Sequence, residues 1–312
     1  MKHDIIVTAA GHKGTLERLT QEFSAIKLFA ATDRAAALKE AAPKVRGLAH
    51  SGHAHVDAAL MDALPKLEII ANFGVGVNQI DVAAAKERGI VVTNGAGVLN
   101  NCVADFSMAL VLNTLRKLPQ AGIYLRAGHW QSKGTYEFTT SLGSKTLGIL
   151  GLGRIGEEIA KRALAFGMKI RYHNRSKKNV PYTYDSDAVT LAKNSDVLLV
   201  ITPGGAETDK LVNAAVLDAL GPQGYLINVA RGSVVDEPVL LRYLQEKKIA
   251  GAGLDVFEHE PKVPAEFFAL DNVVLTPHMA SATNETRTAM GNLQIENLQL
   301  HFAGKPVKTP VQ

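Results

Sequence analysis

The sequence predicts an α/β protein of two domains, one inserted in the other. Three observations lead there. Short apolar runs recur along the 312 residues with little polar alternation, the pattern of strands covered on both faces in parallel sheets. Segments with apolar residues at helical spacing, such as 157–166 and 237–247, lie between them and give the order strand, helix, strand. The series also occurs twice, with a long helical stretch between the two occurrences.

The first series opens with the run 5–9. Its Ile5-Ile6-Val7 is too short for a signal-peptide core and reads as a first buried strand. Runs 47–49, 67–71 and 91–93 follow. From 101 to 126 an apolar periodic stretch, without glycine before Gly122, reads as one connecting helix. The second series takes the runs 146–150, 169–173, 197–201, 225–228, 251–255 and 273–275. A helix over 285–301 and a strand-like or coil tail over 305–312 complete the chain. The expected domains are therefore 1–98 with 287–312, and 99–286. No apolar run reaches the ~18 residues that span a bilayer, so no membrane partner is expected.

Composition narrows the function. Hydrophobic residues make up 46% and charged residues 21%, enough for a core and incompatible with a disordered or fibrous chain. Cys102 is the only cysteine, which excludes an intrachain disulfide and a Cys-based metal site and points to the reducing cytoplasm. Net charge is +4, with no block of five like charges and no basic-aromatic alternation. Nucleic-acid binding is not expected, and a mild positive field suits a small anion.

Gly151-Leu152-Gly153-Arg154-Ile155-Gly156 fits G-x-G-x-x-G, follows the run 146–150 and opens a helix that ends at Phe166-Gly167. That is the βαβ setting of the Rossmann dinucleotide site, so 99–286 is expected to be doubly wound. Gly151 permits the tight turn, Gly153 admits the pyrophosphate and Gly156 lets helix and strand pack closely. The helix N-terminus offers free N–H groups to the phosphates. NAD sites place an acid near the end of the next strand; here Asn174 stands there, followed by Arg175, Ser176, Lys177 and Lys178. An acid repels a 2′-phosphate and Arg or Lys attracts one, so NADP(H) is the expected cofactor.

Three polar residues follow apolar runs of the second series: Arg231 in Asn228-Val229-Ala230-Arg231-Gly232, Glu260 before Pro261, and His278 in Thr276-Pro277-His278. Ligands of open α/β sheets bind beyond the carboxyl ends of strands. An Arg there holds a carboxylate and polarises a carbonyl. A His donates a proton as hydride arrives, and a neighbouring Glu fixes its tautomer and favours its charged form.

The chain resembles the D-isomer-specific 2-hydroxyacid dehydrogenase family over nearly its whole length. The matching stretches are Phe73-Gly74-Val75-Gly76-Val77-Asn78-Gln79-Ile80-Asp81, Val103-Ala104-Asp105, the glycine turn, Asn228 to Gly232, Gly253-Leu254-Asp255-Val256-Phe257, Glu260-Pro261 and Thr276-Pro277-His278. The resemblance implies a flavodoxin-like, doubly wound substrate domain around the Rossmann domain. It implies Arg231 on the substrate, His278 as acid/base with Glu260 as its partner, and backbone around Val75 and Gly76 on the substrate carboxylate. Asp255 would contact the nicotinamide carboxamide, and Thr202, Pro203, Thr208, Val229, Ala230 and His278 would also line the cofactor. Asn174-Arg175-Ser176, Leu64-Pro65-Lys66-Leu67-Glu68 and Ser281 look most like the NADP-preferring glyoxylate/hydroxypyruvate reductases. Ser281 would then border the substrate, as would Trp130, reaching in from a second subunit of a homodimer. Asn94-Gly95-Ala96 departs from the frequent Asn-Thr-Pro, and Asn78 from a frequent Asp.

The expected function is NADPH-dependent reduction of a 2-oxoacid, with phenylpyruvates as the alternative substrates and a non-catalytic dinucleotide sensor as the alternative class. Other polar residues have plainer readings. His50, His53 and His55 lack a completing ligand and read as loop histidines, so no metal is expected. Cys102 is expected to pack near a helix start, and Glu258 and His259 to lie on the surface.

Overall fold

Every pairing between the named strands is parallel, as the unalternating apolar runs require. The structure, a computed structural model, describes residues 2–52 and 54–311. Two units divide the chain, Met1–Leu99 with Ala282–Gln312, and Asn100–Ser281.

The first unit runs β1 (Asp4–Val7), α1 (Lys13–Glu22), β2 (Ser24–Lys27), α2 (Arg34–Ala41), β3 (Gly47–His50), α3 (Ala58–Asp62), β4 (Ile69–Asn72), α4 (Val82–Glu87) and β5 (Val91–Thr93). Its sheet order, β2-β1-β3-β4-β5, is the flavodoxin-like doubly wound one. Ile6, Leu48, Ile70 and Val92 pack into a core on one face and Ile5, Val7, Ala49, Ile69 and Ala71 into a core on the other. Each such aliphatic side chain contributes about 1.5–3 kcal/mol by leaving water.

The second unit holds α5 (Asn100–Arg116), α6 (Leu118–Arg126), α7 (His129–Lys133), β6 (Thr146–Leu150), α8 (Arg154–Ala165), β7 (Lys169–His173), β8 (Thr183–Tyr184), α9 (Ala188–Lys193), β9 (Val197–Val200), α10 (Ala214–Leu220), β10 (Tyr225–Asn228), α11 (Glu237–Gln245), β11 (Gly251–Leu254) and β12 (Val273–Leu275). The order β12-β11-β10-β9-β6-β7-β8 is the Rossmann arrangement with an added strand at one end. Asp187, Asn213 and Asp236 cap α9, α10 and α11, as Asp33, Asp57 and Asp81 cap α2, α3 and α4, each cap adding about 1 kcal/mol. Among the described residues no helix is long and apolar enough to cross a membrane.

The last helix, α12 (Asn284–Phe302), packs on α1 and β4 of the first unit. The division falls at 281/282, five residues before the 286/287 boundary read from the sequence. Thr283 caps α12 by accepting from the Thr286 N–H, so the turn ahead of the helix goes with it. The single helix expected over 101–126 is also corrected. It breaks at Lys117, which takes a left-handed φ of 47°. In a continuous helix Pro119 would clash with the carbonyl of Leu115, which instead accepts from the Thr140 N–H at 3.1 Å.

Candidate active site

Neighbouring strands of the second sheet bring three loops together. Asn228 at the end of β10 pairs with Leu254 of β11, and Leu254 with Leu275 of β12. Arg231, Asp255 with Glu260, and His278 follow those ends. Gly232 allows the first two loops to meet: a Cβ there would lie 1.9 Å from the Phe257 carbonyl carbon.

His278 donates from Nδ1 to Glu260 Oε2 at 2.6 Å, and the Phe257 N–H donates to Glu260 Oε1 at 3.0 Å. The imidazole is 42% exposed and the carboxylate 15%, so Glu260 braces from within a ring that faces outward. His278 has φ 48°, a left-handed backbone that costs a non-glycine residue of order 1–3 kcal/mol. Asp255 holds it there. Its backbone carbonyl accepts from the His278 N–H at 2.8 Å, its Oδ1 from Thr276 Oγ1 at 2.8 Å and the Met279 N–H at 2.9 Å, and its Oδ2 from the Ala280 N–H at 2.9 Å. Burial pushes the Asp255 carboxyl above its ordinary value, against those hydrogen bonds. Sequence reading gave Asp255 only a cofactor role; three of its carboxylate's acceptor positions serve the His278 turn.

Arg231 is partly buried, donates to the Ala230 carbonyl, and has no ion-pair partner among the described residues. Burial lowers its pKa, with the Glu260 charge opposing. It remains a guanidinium, a cation with donors to spare. Asn228 fixes its loop, donating to the Arg231 carbonyl and accepting from the Ala230 N–H. Val229 and Ala230 are buried behind it. Glu237 went unnoticed in the sequence: this buried carboxylate accepts from the Glu258 N–H at 3.0 Å and so supports the Glu260 loop, and burial raises its pKa. The Glu258 side chain is partly exposed and His259 is exposed.

The glycine turn lies between β6 and α8. Gly151 has φ 105°, and a Cβ on it would lie 2.8 Å from the Thr202 nitrogen. A Cβ on Gly153 would meet nothing within 4 Å, so the space before the helix N-terminus is open to a pyrophosphate. Thr202 Oγ1 is buried without a partner among the described residues. These features fit a dinucleotide. Arg154 and Ile155 open α8, and Pro203 and Thr208 share a loop closed by Thr208 Oγ1 donating to the Pro203 carbonyl at 2.8 Å. Asn174 accepts from the Leu152 N–H at 2.6 Å and donates to the Leu152 carbonyl at 3.2 Å, stapling the glycine turn to the end of β7. Arg175, Ser176 and Lys177 are exposed, and Arg175 pairs with Glu207 at 2.7 Å.

Val75 and Gly76 lie in the loop after β4 of the first unit, and partly buried Ser281 ends the second. Trp130 on α7 is 65% exposed. His50 is not a loop histidine; it is buried at the end of β3, with its ring nitrogens 2.8 Å from Asn72 Oδ1 and the Ala54 carbonyl. His55 is exposed, and His53 lies outside the described residues. Cys102 sits in the first turn of α5, its Sγ 3.4 Å from the Ala280 carbonyl.

Comparison with known proteins identifies the family. The NAD-binding domain of the D-isomer specific 2-hydroxyacid dehydrogenases matches residues 108–280. Hydroxyphenylpyruvate reductase of Plectranthus scutellarioides is 48% identical over 271 residues, 86% of each chain. Glyoxylate/hydroxypyruvate reductase A HPR2 of Arabidopsis thaliana is 44% identical over 294 residues, 94% of each. The NADPH-dependent glyoxylate/hydroxypyruvate reductase SmGhrB of Sinorhizobium meliloti, solved with NADP and malonate, superposes with a TM-score of 0.92 at 46% identity, covering 100% of this chain and 97% of that one. A Rossmann unit that carries a His–Glu pair and an arginine at its strand ends, with likeness of this extent, means that the chain belongs to the D-isomer specific 2-hydroxyacid dehydrogenase family.

Proposed function

We propose that the chain reduces small 2-oxoacids, glyoxylate and hydroxypyruvate, to 2-hydroxyacids with NADPH. The observation that carries the reading is the His278–Glu260 pair on loops adjoining a partly buried guanidinium that has no ion pair among the described residues. Arg231 holds the substrate carboxylate and polarises the carbonyl, and the N–H groups of Val75 and Gly76 take the carboxylate as well. Ser281 and Trp130 border the substrate. The glycine turn, Arg154, Ile155, Asn174, Arg175, Ser176, Lys177, Thr202, Pro203, Thr208, Val229, Ala230, Asp255 and His278 would hold NADP(H), which when bound in its reduced form supplies hydride to C2. His278 gives the proton on Nε2 to the C2 oxygen, and Glu260 stabilises the ring's charge and keeps Nδ1 as the donor to itself.

The lack of an acid at Asn174 and the basic run behind it support NADPH, as does likeness to a reductase solved with NADP. Likeness to the hydroxyphenylpyruvate reductase supports phenylpyruvates as the second reading of the substrate. A homodimer is supported by the apolar side chains exposed along 118–138, among them Ile123, Trp130 and Phe138. The lone cysteine is consistent with a cytoplasmic setting. Steady-state kinetics with glyoxylate, hydroxypyruvate and phenylpyruvate, each with NADPH and NADH, tests the reading. The highest kcat/KM is expected for a small oxoacid with NADPH, and absence of turnover with all three would leave only the sensor.

A further inference from the structure

The loop after β4 is tied down in an unusual way. β3 and β4 end side by side, with His50 in register with Asn72. Beyond them three successive carbonyls are held inward. That of Gly74 accepts from Asn72 Nδ2 at 2.9 Å and from the Gly95 N–H at 2.8 Å. That of Val75 accepts from Asn94 Nδ2 at 2.9 Å, and that of Gly76 from the Asn72 amide again at 2.9 Å. Asn72 is buried, and His50 Nδ1 donates to its Oδ1 at 2.8 Å, which fixes the amide with its nitrogen toward the loop. Gln294 of α12 closes the group from behind, donating to the carbonyls of His50 and Ala71 at 2.9 and 2.8 Å.

A planar trans peptide directs its C=O and its N–H to opposite sides. With the carbonyls of Gly74 and Val75 held inward, the N–H groups of the same two peptides, those of Val75 and Gly76, turn the other way. Neither has a hydrogen-bond partner among the described residues. Donation to a carbonyl also polarises its peptide and strengthens the N–H on its far side. We propose that Asn72 and Asn94 are positioning residues for the oxoacid carboxylate, presenting and polarising the Val75 and Gly76 N–H groups as a pair. This rests on the reading of the chain as a 2-oxoacid reductase. It also gives a function to Asn94, the one residue that Asn94-Gly95-Ala96 keeps of the frequent Asn-Thr-Pro.

The test compares Asn94→Ala and Asn72→Ala with the wild type on glyoxylate and on its amide, glyoxylamide, which keeps the carbonyl and lacks the carboxylate. Loss of one such hydrogen bond should raise KM for glyoxylate on the order of tenfold in Asn94→Ala, with kcat unchanged. kcat/KM for glyoxylamide and the affinity for NADPH should not move. Asn72→Ala should show the larger rise; if it does not fold, Asn94→Ala carries the test alone. An unchanged KM, a fall in kcat instead, or equal losses on acid and amide would overturn the proposal. If the wild type reduces no oxoacid, the functional reading fails separately, and calorimetric titration with oxalate decides. Weaker binding to Asn94→Ala upholds the positioning role, while equal binding, or none to the wild type, overturns it.

Discussion

Glu260→Gln separates what the carboxylate does for His278 from what its shape does. Glu260 accepts from the Phe257 N–H at 3.0 Å and from His278 Nδ1 at 2.6 Å, so that Nε2 is the ring nitrogen left for the proposed proton transfer. Glutamine has the same size and one acceptor oxygen. If that oxygen stays on Phe257, the amide nitrogen faces Nδ1 and forces it to accept. The neutral ring then carries its proton on Nε2 and cannot release it without forming an imidazolate. If the amide flips, its nitrogen meets the Phe257 N–H instead. Losing the charge-assisted bond is worth about 1.5–3 kcal/mol, or about 10- to 100-fold in rate. Adding the wrong tautomer brings the expected loss in kcat for glyoxylate reduction to the order of 10²–10⁴. NADPH binding, read by fluorescence titration, should be unaffected, and the melting temperature should fall by no more than the loss of that one bond allows. His278→Gln should lose activity comparably, and the double variant should be no worse than the poorer single one, since the two residues act as a unit. Wild-type kcat in Glu260→Gln, or additive losses in the double variant, would refute the pairing as the proton source.

Three further outcomes are expected. Asp255→Asn keeps an acceptor for Thr276 and Met279 but sets an amide nitrogen against the Ala280 N–H. It should cost about 1–3 kcal/mol, visible as a lowered melting temperature, with a fall in kcat as the His278 turn loosens. Arg175→Ala should lower kcat/KM with NADPH and spare NADH, while Glu207→Gln, which releases Arg175 from its 2.7 Å pair, should raise it with NADPH; opposite signs would move the 2′-phosphate site elsewhere. In the first unit the Arg46 guanidinium holds the Glu68 carboxyl below its ordinary value of 4.5, so the pair adds stability above that pH and loses it as pH falls through the depressed value. Thermal melts of Glu68→Gln should therefore show a shallower acid limb than the wild type.

Much of this was legible because the central strands are covered on both faces. Leu198 and Leu199 point to opposite cores, and both positions must be apolar. The edge strands β2 and β8 were missed for the same reason. Ser24 and Lys27 are exposed and Thr183–Tyr184 is only two residues long, so neither makes an apolar run. Arg231, Glu260 and His278 are legible as candidates because each follows a recognisable strand. The supports were harder to find. Asn72 and Glu237 read as ordinary polar residues at the ends of elements, and only three-dimensional pairing shows what they hold. The break at Lys117 did have a signal, Pro119, which the apolar period on either side obscured.

The Asn174 staple has a consequence for any attempt to change the coenzyme. Aspartate is the obvious replacement, since it would grasp a ribose hydroxyl and repel a phosphate. As a carboxylate it could keep the bond from the Leu152 N–H, but it has no hydrogen to give the Leu152 carbonyl 3.2 Å away. The proposed selectivity for NADPH and the hold on the glycine turn thus fall to one side chain. A redesign at 174 that inverts the preference would inherit a looser grip on both coenzymes, and recovering it calls for a compensating change elsewhere along the turn, not a better contact to the adenosine.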